Sequence, residues 1–330
     1  MVVSSAKRLE WIDWMKALGI YLVVLGHFSS FGEKFIYVFH MPLFFLISGF
    51  LCKKESDSFQ FWRKLWYNLA VPMLMMTTLN FMGYCVLKLI HGSFELVYVY
   101  WFVRNVLFGI VSGFDSLWFV YTLILLKIIF QYCSSRKLFY ALTIIMLALV
   151  YVYNRLDFSG FPFFLKERNS FINVFIAYPF FALGVFVRDY KYLLNEWDDK
   201  RMQVFLLTCG LLPVAFCYYF NGSVGLHRCD DGGNIFLCLL GGVAGSIMIF
   251  SVSKLLGHAS KFVVIISRGT IIILGFHKIL ISLMRILFPV WYTDIVLAAL
   301  IVIVFVPVIL AIERYCPLMA GKYRAVKLVR

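Results

Sequence analysis

The sequence predicts an all-α fold, a polytopic membrane helical bundle, and three observations lead to this class. Of the 330 residues, 62% are hydrophobic and only 15% are charged, and the mean hydropathy is +0.88. The apolar residues form runs of about 18 to 22 residues, long enough for a helix to cross a hydrocarbon core of about 30 Å. The runs are continuously apolar, unlike the alternating strands of a transmembrane barrel. These features exclude a soluble enzyme, a disordered chain and a disulfide scaffold.

The first three predicted spans cover residues 14–30, 35–52 and 65–87. Each is a continuous apolar run of membrane-helix length. The third contains Pro72, which a helix in a bundle tolerates once the freed backbone groups find partners.

The segment 96–112 is a possible eleventh span. It holds Arg104 and Asn105 at its centre and is rich in the aromatic residues that prefer the membrane interface. If it crossed the membrane, Arg136 and Lys137 would fall outside, and the sidedness of everything after them would invert. We therefore predict an outer interfacial or re-entrant helix here.

The other seven predicted spans follow without a hydrophilic block large enough for a second domain. In order they are 117–132, 138–153, 171–187, 204–220, 233–252, 270–288 and 295–312. With about ten transmembrane helices, residues 1–330 are expected to form one integral membrane domain.

The charge distribution predicts the orientation of these helices. The formal net charge is +14, and with the N-terminus inside, most of the 31 lysines and arginines fall in inner segments. Basic residues accumulate in cytoplasmic loops, so both termini are predicted to be cytoplasmic. The positive charge then reflects topology, and no nucleic-acid partner is expected.

The cysteines and loop histidines give no indication of a metal site. The eight cysteines are scattered, mostly inside apolar runs, and none forms a CxxC pair. No HxxxH or HExxH pair is present. We interpret the cysteines as small packing residues.

The first span carries the densest set of ionisable residues, Asp13, Lys16 and His27. Such a side chain costs roughly 2.5 kcal/mol or more near the centre of a membrane helix, so each is a functional candidate. Lys16 and His27 lie within about 20° of one helical face, and a rise of about 16 Å between them would place the imidazole near the middle of the membrane. Asp13 stands where an ion pair with Lys16 can form. The alternative is a core histidine bonded to a backbone carbonyl, with Lys16 reaching to the interface.

Two further histidines fall in predicted spans. His40 lies near the outer side of the second span, and His277 lies within the ninth. Each alone is more typical of a structural histidine, but three in one apolar bundle favour a functional cluster. Four basic residues also fall within spans: Lys16, Lys127, Lys278 and Arg285.

The order of these residues identifies a family resemblance. Arg8, Asp13, Lys16 and His27 follow the spacing Arg-x4-Asp-x2-Lys-x10-His, and residues 39–50 read Phe-His-Met-Pro-Leu-Phe-Phe-Leu-Ile-Ser-Gly-Phe. These segments strongly resemble the acyltransferase-3 family, integral membrane acyltransferases that O-acylate carbohydrates. Shorter similarities follow in family order at 117–120, 180–184, 269–277 and 313–321.

The resemblance implies an acetyl-CoA donor on the cytoplasmic side and a sugar hydroxyl as acceptor, on a cell-surface or lipid-linked glycan. It implies no metal. Membrane lipids would surround the protein, and a bacterial inner (plasma) membrane is the expected location. The family's extracellular hydrolase-like domain has no counterpart in the chain, so we expect transfer to be completed within the membrane domain.

The resemblance also implies roles for particular residues. The basic residue and histidine of the family's first-span motif fall on Lys16 and His27. His27 would be the general base for the sugar hydroxyl, or would be acylated transiently. Lys16 and Asp13 would fix the first helix and steer the donor, while His40 would assist at the outer mouth. The CoA phosphates would meet an inner basic rim, formed by Lys7, Arg8, Lys53, Lys54, Arg63 and Lys64.

A membrane transporter or flippase of a glycan or small polar solute is the alternative function. Its polar residues and broken helices would line a path instead of performing transfer. No inverted-repeat symmetry is visible in the sequence, and the spacing of Lys16 and His27 favours the enzyme.

Overall fold

The computed structural model describes residues 8–28, 32–110, 118–156, 169–190, 199–288 and 293–322, which form helices joined by short loops. The described residues contain no β-strand, only two isolated bridges. The helices in chain order are α1 Glu10–Gly26, α2 Glu33–Tyr37, α3 His40–Leu51, α4 Ser58–Leu65, α5 Val71–Ile90, α6 Val97–Phe108, α7 Trp118–Tyr132, α8 Arg136–Tyr153, α9 Ser170–Asp189, α10 Lys200–Phe220, α11 Ile235–Leu256, α12 Lys261–Arg268, α13 Thr270–Leu287 and α14 Asp294–Tyr315. A π-helical turn, Trp66–Ala70, joins α4 to α5, and Leu226–Arg228 forms a 3-10 turn.

Eight helical stretches in the described part of the chain are long and apolar enough to cross a membrane. They are Glu33–Leu51, Ser58–Ile90, Arg136–Tyr153, Ser170–Asp189, Lys200–Phe220, Ile235–Leu256, Thr270–Leu287 and Asp294–Tyr315. The all-α, polytopic prediction is therefore confirmed. The first and fourth predicted spans form the shorter helices α1, of 17 residues, and α7, of 15 residues, so the count of ten crossings stays a prediction.

The segment 96–112 contains α6, which has 12 residues. At 1.5 Å per residue this helix is roughly 18 Å long, too short to cross a core of about 30 Å. Gly109 follows it with φ 60°, the left-handed conformation that glycine adopts where a helix ends. The length agrees with an interfacial or re-entrant helix.

α1 is surrounded by other helices of the bundle. It packs against α3, α11, α12, α13 and α14, and Val23 and Val24 on it are fully buried. Because protein covers much of α1, its polar side chains can find partners on neighbouring helices instead of meeting lipid.

Small residues set the closest helix contacts. A Cβ added at Gly49 of α3 would lie 2.0 Å from the carbonyl oxygen of Phe181 in α9, and one added at Gly184 of α9 would lie 2.0 Å from that of Leu46. The two helices therefore touch backbone to backbone, which only glycine permits at both positions. This contact holds α3, which begins at His40, directly against α9.

Candidate active site

Asp13, near the start of α1, accepts hydrogen bonds from two neighbouring side chains. Arg8 donates to its carboxylate twice, from Nε at 2.5 Å and Nη2 at 2.7 Å, and Ser267 of α12 donates its hydroxyl at 2.6 Å. The hydrogen bond to Asp13 raises the pKa of Arg8 above its usual value. The expected pair of Asp13 with Lys16 does not form, because the guanidinium fork of Arg8 takes both carboxylate oxygens.

Lys16 instead lines a cavity of about 240 Å³ between α1, α3, α7 and α13. The lining is mostly apolar, with four polar side chains: Lys16, Ser48, Lys127 and Thr270. Lys127 Nζ lies 3.6 Å from the sulfur of Cys52. Neither lysine forms an ion pair with a carboxylate in the described part of the chain. Two ammonium groups in an apolar cavity favour an anionic ligand.

His27 lies at the carboxyl end of α1, since the helix ends at Gly26, four residues short of the predicted span. Its Nδ1 is 2.8 Å from the carbonyl oxygen of Val23. A carbonyl only accepts, so in the neutral ring Nδ1 carries the proton and Nε2 has a free electron pair. The backbone contact that the structural alternative required is therefore present, and it leaves Nε2 suited to act as a base.

His277 of α13 lies directly against His27. The ring centroids are 4.7 Å apart and the rings are nearly perpendicular, at 82°. In the sequence, His277 is one of three histidines in apolar spans. Its contact with His27, 250 positions away, could not be predicted from helical spacing. The short similarity that leads to His277 was the available signal.

His40 joins the same region through an aromatic neighbour. Its Nδ1 lies 2.9 Å from the carbonyl oxygen of Ile36, and its ring is 4.9 Å from that of Tyr37. Tyr37 in turn lies 6.5 Å from His27. The four rings, His27, Tyr37, His40 and His277, are called the histidine cluster below. No group of three possible metal ligands occurs among the described residues.

The cavity and the histidine cluster lie along the same helical faces. Ile20 lines the cavity, and His27 follows it by two turns, about 10 Å, within roughly 20° of the same face. On α13, Leu274 lines the cavity and His277 follows by about one turn. Lys16 and the possible base thus lie on the same face of α1.

No described residue of the inner basic rim is among those that line the cavity. Lys64 pairs with Glu55 at 2.6 Å, Lys54 donates to the carbonyl of Cys133 at 2.5 Å, and Arg63 lies 5.7 Å from the ring of Phe59. Lys53 is exposed. The donor-binding role of the rim stays a prediction, and Lys7 lies outside the described residues.

Sequence analysis missed two residues of this site. Lys127 was counted as a basic residue within a span but given no role, although the cost of a buried charge was a signal for it. Tyr37 carried no signal, because an aromatic residue at a span boundary is typical of any membrane helix.

A family model described as an acyltransferase domain, Acyl_transf_3, matches residues 9–314. No curated protein and no solved structure matches the chain. The matched range contains the whole cavity and the whole histidine cluster.

Proposed function

Because the chain belongs to the acyltransferase-3 family and is therefore a membrane acyltransferase, we propose that it moves an acetyl group from cytoplasmic acetyl-CoA to a hydroxyl of a cell-surface or lipid-linked glycan. One observation carries the proposal: a cavity with two ammonium groups lies on the same face of α1 as a histidine whose Nε2 can accept a proton. We place the activity in a bacterial inner membrane.

In the proposed step His27 is the general base. Its Nε2 takes the proton as the O–H bond of the sugar hydroxyl breaks, and the hydroxyl oxygen forms a bond to the acetyl carbon. The carbon–sulfur bond then breaks, and His27 returns the proton to the thiolate of CoA. In an alternative order, Nε2 attacks the acetyl carbon first, and the carbon–sulfur bond breaks to release the CoA thiolate. The sugar hydroxyl then attacks the acyl carbon, the bond from Nε2 to that carbon breaks, and the hydroxyl proton passes to the thiolate.

Two sets of cations would hold the donor. Lys16 and Lys127 line the cavity and would attract the anionic donor into it. The inner basic rim would meet the CoA phosphates at the cytoplasmic surface. Asp13, bonded to Arg8 and Ser267, would fix the helix that carries Lys16 and His27. His40 would assist on the outer side.

The test uses purified protein in lipid nanodiscs, labelled acetyl-CoA and a crude extract of lipid-linked and surface glycans. We expect label on the glycan with wild-type protein. We expect His27→Ala to abolish transfer while the protein stays folded, because the base is lost and no charge is added. His91→Ala, in an exposed loop, is the control and should retain full activity.

Retention of most activity by His27→Ala would reject the base. A transporter gives a different outcome: glycan would cross a sealed vesicle with no label attached to it.

A further inference from the structure

His277 is fully buried against His27, and the transfer step described above gives it no role. Its side chain is 0% exposed, and its ring lies edge to face with that of His27 at 4.7 Å. A neighbour in direct contact affects how readily a base accepts a proton. The contact therefore bears on the chemistry of His27.

Hydrogen bonds fix the protonation of His277. Its Nδ1 lies 3.0 Å from the carbonyl oxygens of both Ile273 and Leu274. Because carbonyls only accept, the proton of the neutral ring is on Nδ1, and Nε2 presents an electron pair. Nε2 has no hydrogen-bond partner among the described residues. A buried acceptor without a partner destabilises the resting protein, and a nearby positive charge relieves that penalty.

The charged groups around the pair are few. Lys278 adjoins His277 on α13, and Tyr37 and His40 lie beyond His27. The first residue of α14, Asp294, carries a carboxylate, and it forms an ion pair with Arg285 of α13 at 2.8 Å. From α5, Asn80 donates its amide to the carbonyl of Gly275 at 2.9 Å. The neutral ring of His277 is thus a side-chain contact through which the protein can stabilise a charge on His27.

We propose that His277 is a positioning residue that stabilises the imidazolium form of His27 during acyl transfer. The inference rests on the proposed role of His27. When Nε2 of His27 gains the hydroxyl proton, the ring becomes positive until the proton passes to the thiolate. His277 gains and loses no proton. It supplies a preorganised electron pair beside the charge that develops, which lowers the barrier.

Two substitutions separate this role from packing. His277→Gln keeps a neutral acceptor near the position of Nε2, whereas His277→Phe keeps the ring volume and removes the acceptor. In the labelled acetyl-CoA and glycan-extract assay, we expect the Gln variant within about tenfold of wild type and the Phe variant at least about a hundredfold slower. The acidic limb of the pH–rate profile should move about two units lower in the Phe variant, since a less stable imidazolium forms only at lower pH and each unit corresponds to about a tenfold loss of its stabilisation. His91→Phe is the control and should match wild type in both measurements.

A purely structural role predicts the reverse order, with Phe more active than Gln. That order, or an unmoved acidic limb in the Phe variant, would overturn the inference. His277→Leu gives the same comparison if the Phe variant does not fold. His27→Ala in the same assay separates the two hypotheses: if it is active, the base is wrong, and if it is inactive while His277→Phe is normal, only the role of His277 is wrong.

Discussion

Lys16 and Lys127 place two positive charges in the interior of the bundle, and neither forms an ion pair with a carboxylate of the described residues. An ammonium group near the centre of a membrane helix costs roughly 2.5 kcal/mol or more. Asp13, the acid nearest in sequence, is engaged by Arg8 and Ser267. The balancing charge is therefore expected to come from a bound ligand, and the acyl donor is the anionic ligand in the proposed reaction.

Loss of either lysine should weaken use of the donor. We expect Lys16→Ala and Lys127→Met each to raise the KM for acetyl-CoA by about tenfold, since about 1.4 kcal/mol of ground-state binding is lost. Lys16→Arg should be tolerated, because the charge is kept. Initial rates against acetyl-CoA concentration measure the effect, with Lys88→Met at the far end of α5 as control. An unchanged KM in both variants would remove the cavity from the donor site.

At the level of single elements, the contact between α3 and α9 allows a sharp stability test. Gly49→Ala and Gly184→Ala should each destabilise the protein by about 1–3 kcal/mol or more, because the new methyl group meets backbone of the facing helix, which cannot move aside. Gly83→Ala in α5 meets nothing within 4 Å and should be neutral or stabilising by up to about 1 kcal/mol. Thermal unfolding followed by tryptophan fluorescence gives the comparison. Equal melting temperatures for all three variants would contradict the backbone contact.

The short helix α4 allows the donor-binding and topological roles of the inner basic rim to be distinguished. If Arg63 and Lys64 bind CoA phosphates, replacing both with Gln should raise the KM for acetyl-CoA by about tenfold and affect the acceptor less. If they only orient the helices, no such selectivity is expected. Lys64 is also paired with Glu55, so the single variant Glu55→Gln controls for loss of that pair. Unchanged donor kinetics in the correctly inserted double variant would move the CoA site toward Lys53 and Lys54.

At the scale of the whole molecule, the distribution of basic residues predicts that both termini lie in the cytoplasm. Reporters that are active on only one side of the membrane, fused after residue 330 and before residue 1, should both report the inner side. A C-terminal reporter found outside would reject the even number of crossings, and α1 and α7, the two shorter helices, would be the first to be reconsidered.

The helices were predictable because continuous apolar runs have few alternatives in a membrane. Contacts between residues on different helices were not predictable. The contact between His27 and His277 depends on how α1 and α13 pack, and periodicity within one helix carries no information about its neighbour. The partner of Asp13 was missed for a related reason: Arg8 precedes the helix, and helical spacing describes only residues within it. Sequence thus indicates candidate residues but not which of them touch.

The early end of α1 at Gly26 has an electrostatic consequence for His27. Aligned peptide dipoles give a helix a partial negative charge at its carboxyl end, and a cation there is stabilised by about 0.3–1 kcal/mol, or up to about 2 kcal/mol where water is excluded. Had the helix continued to residue 30, the imidazole would lie beside the peptide units, where this field is weak. By ending one residue before His27, the backbone of α1 itself becomes a counter-charge for a protonated ring.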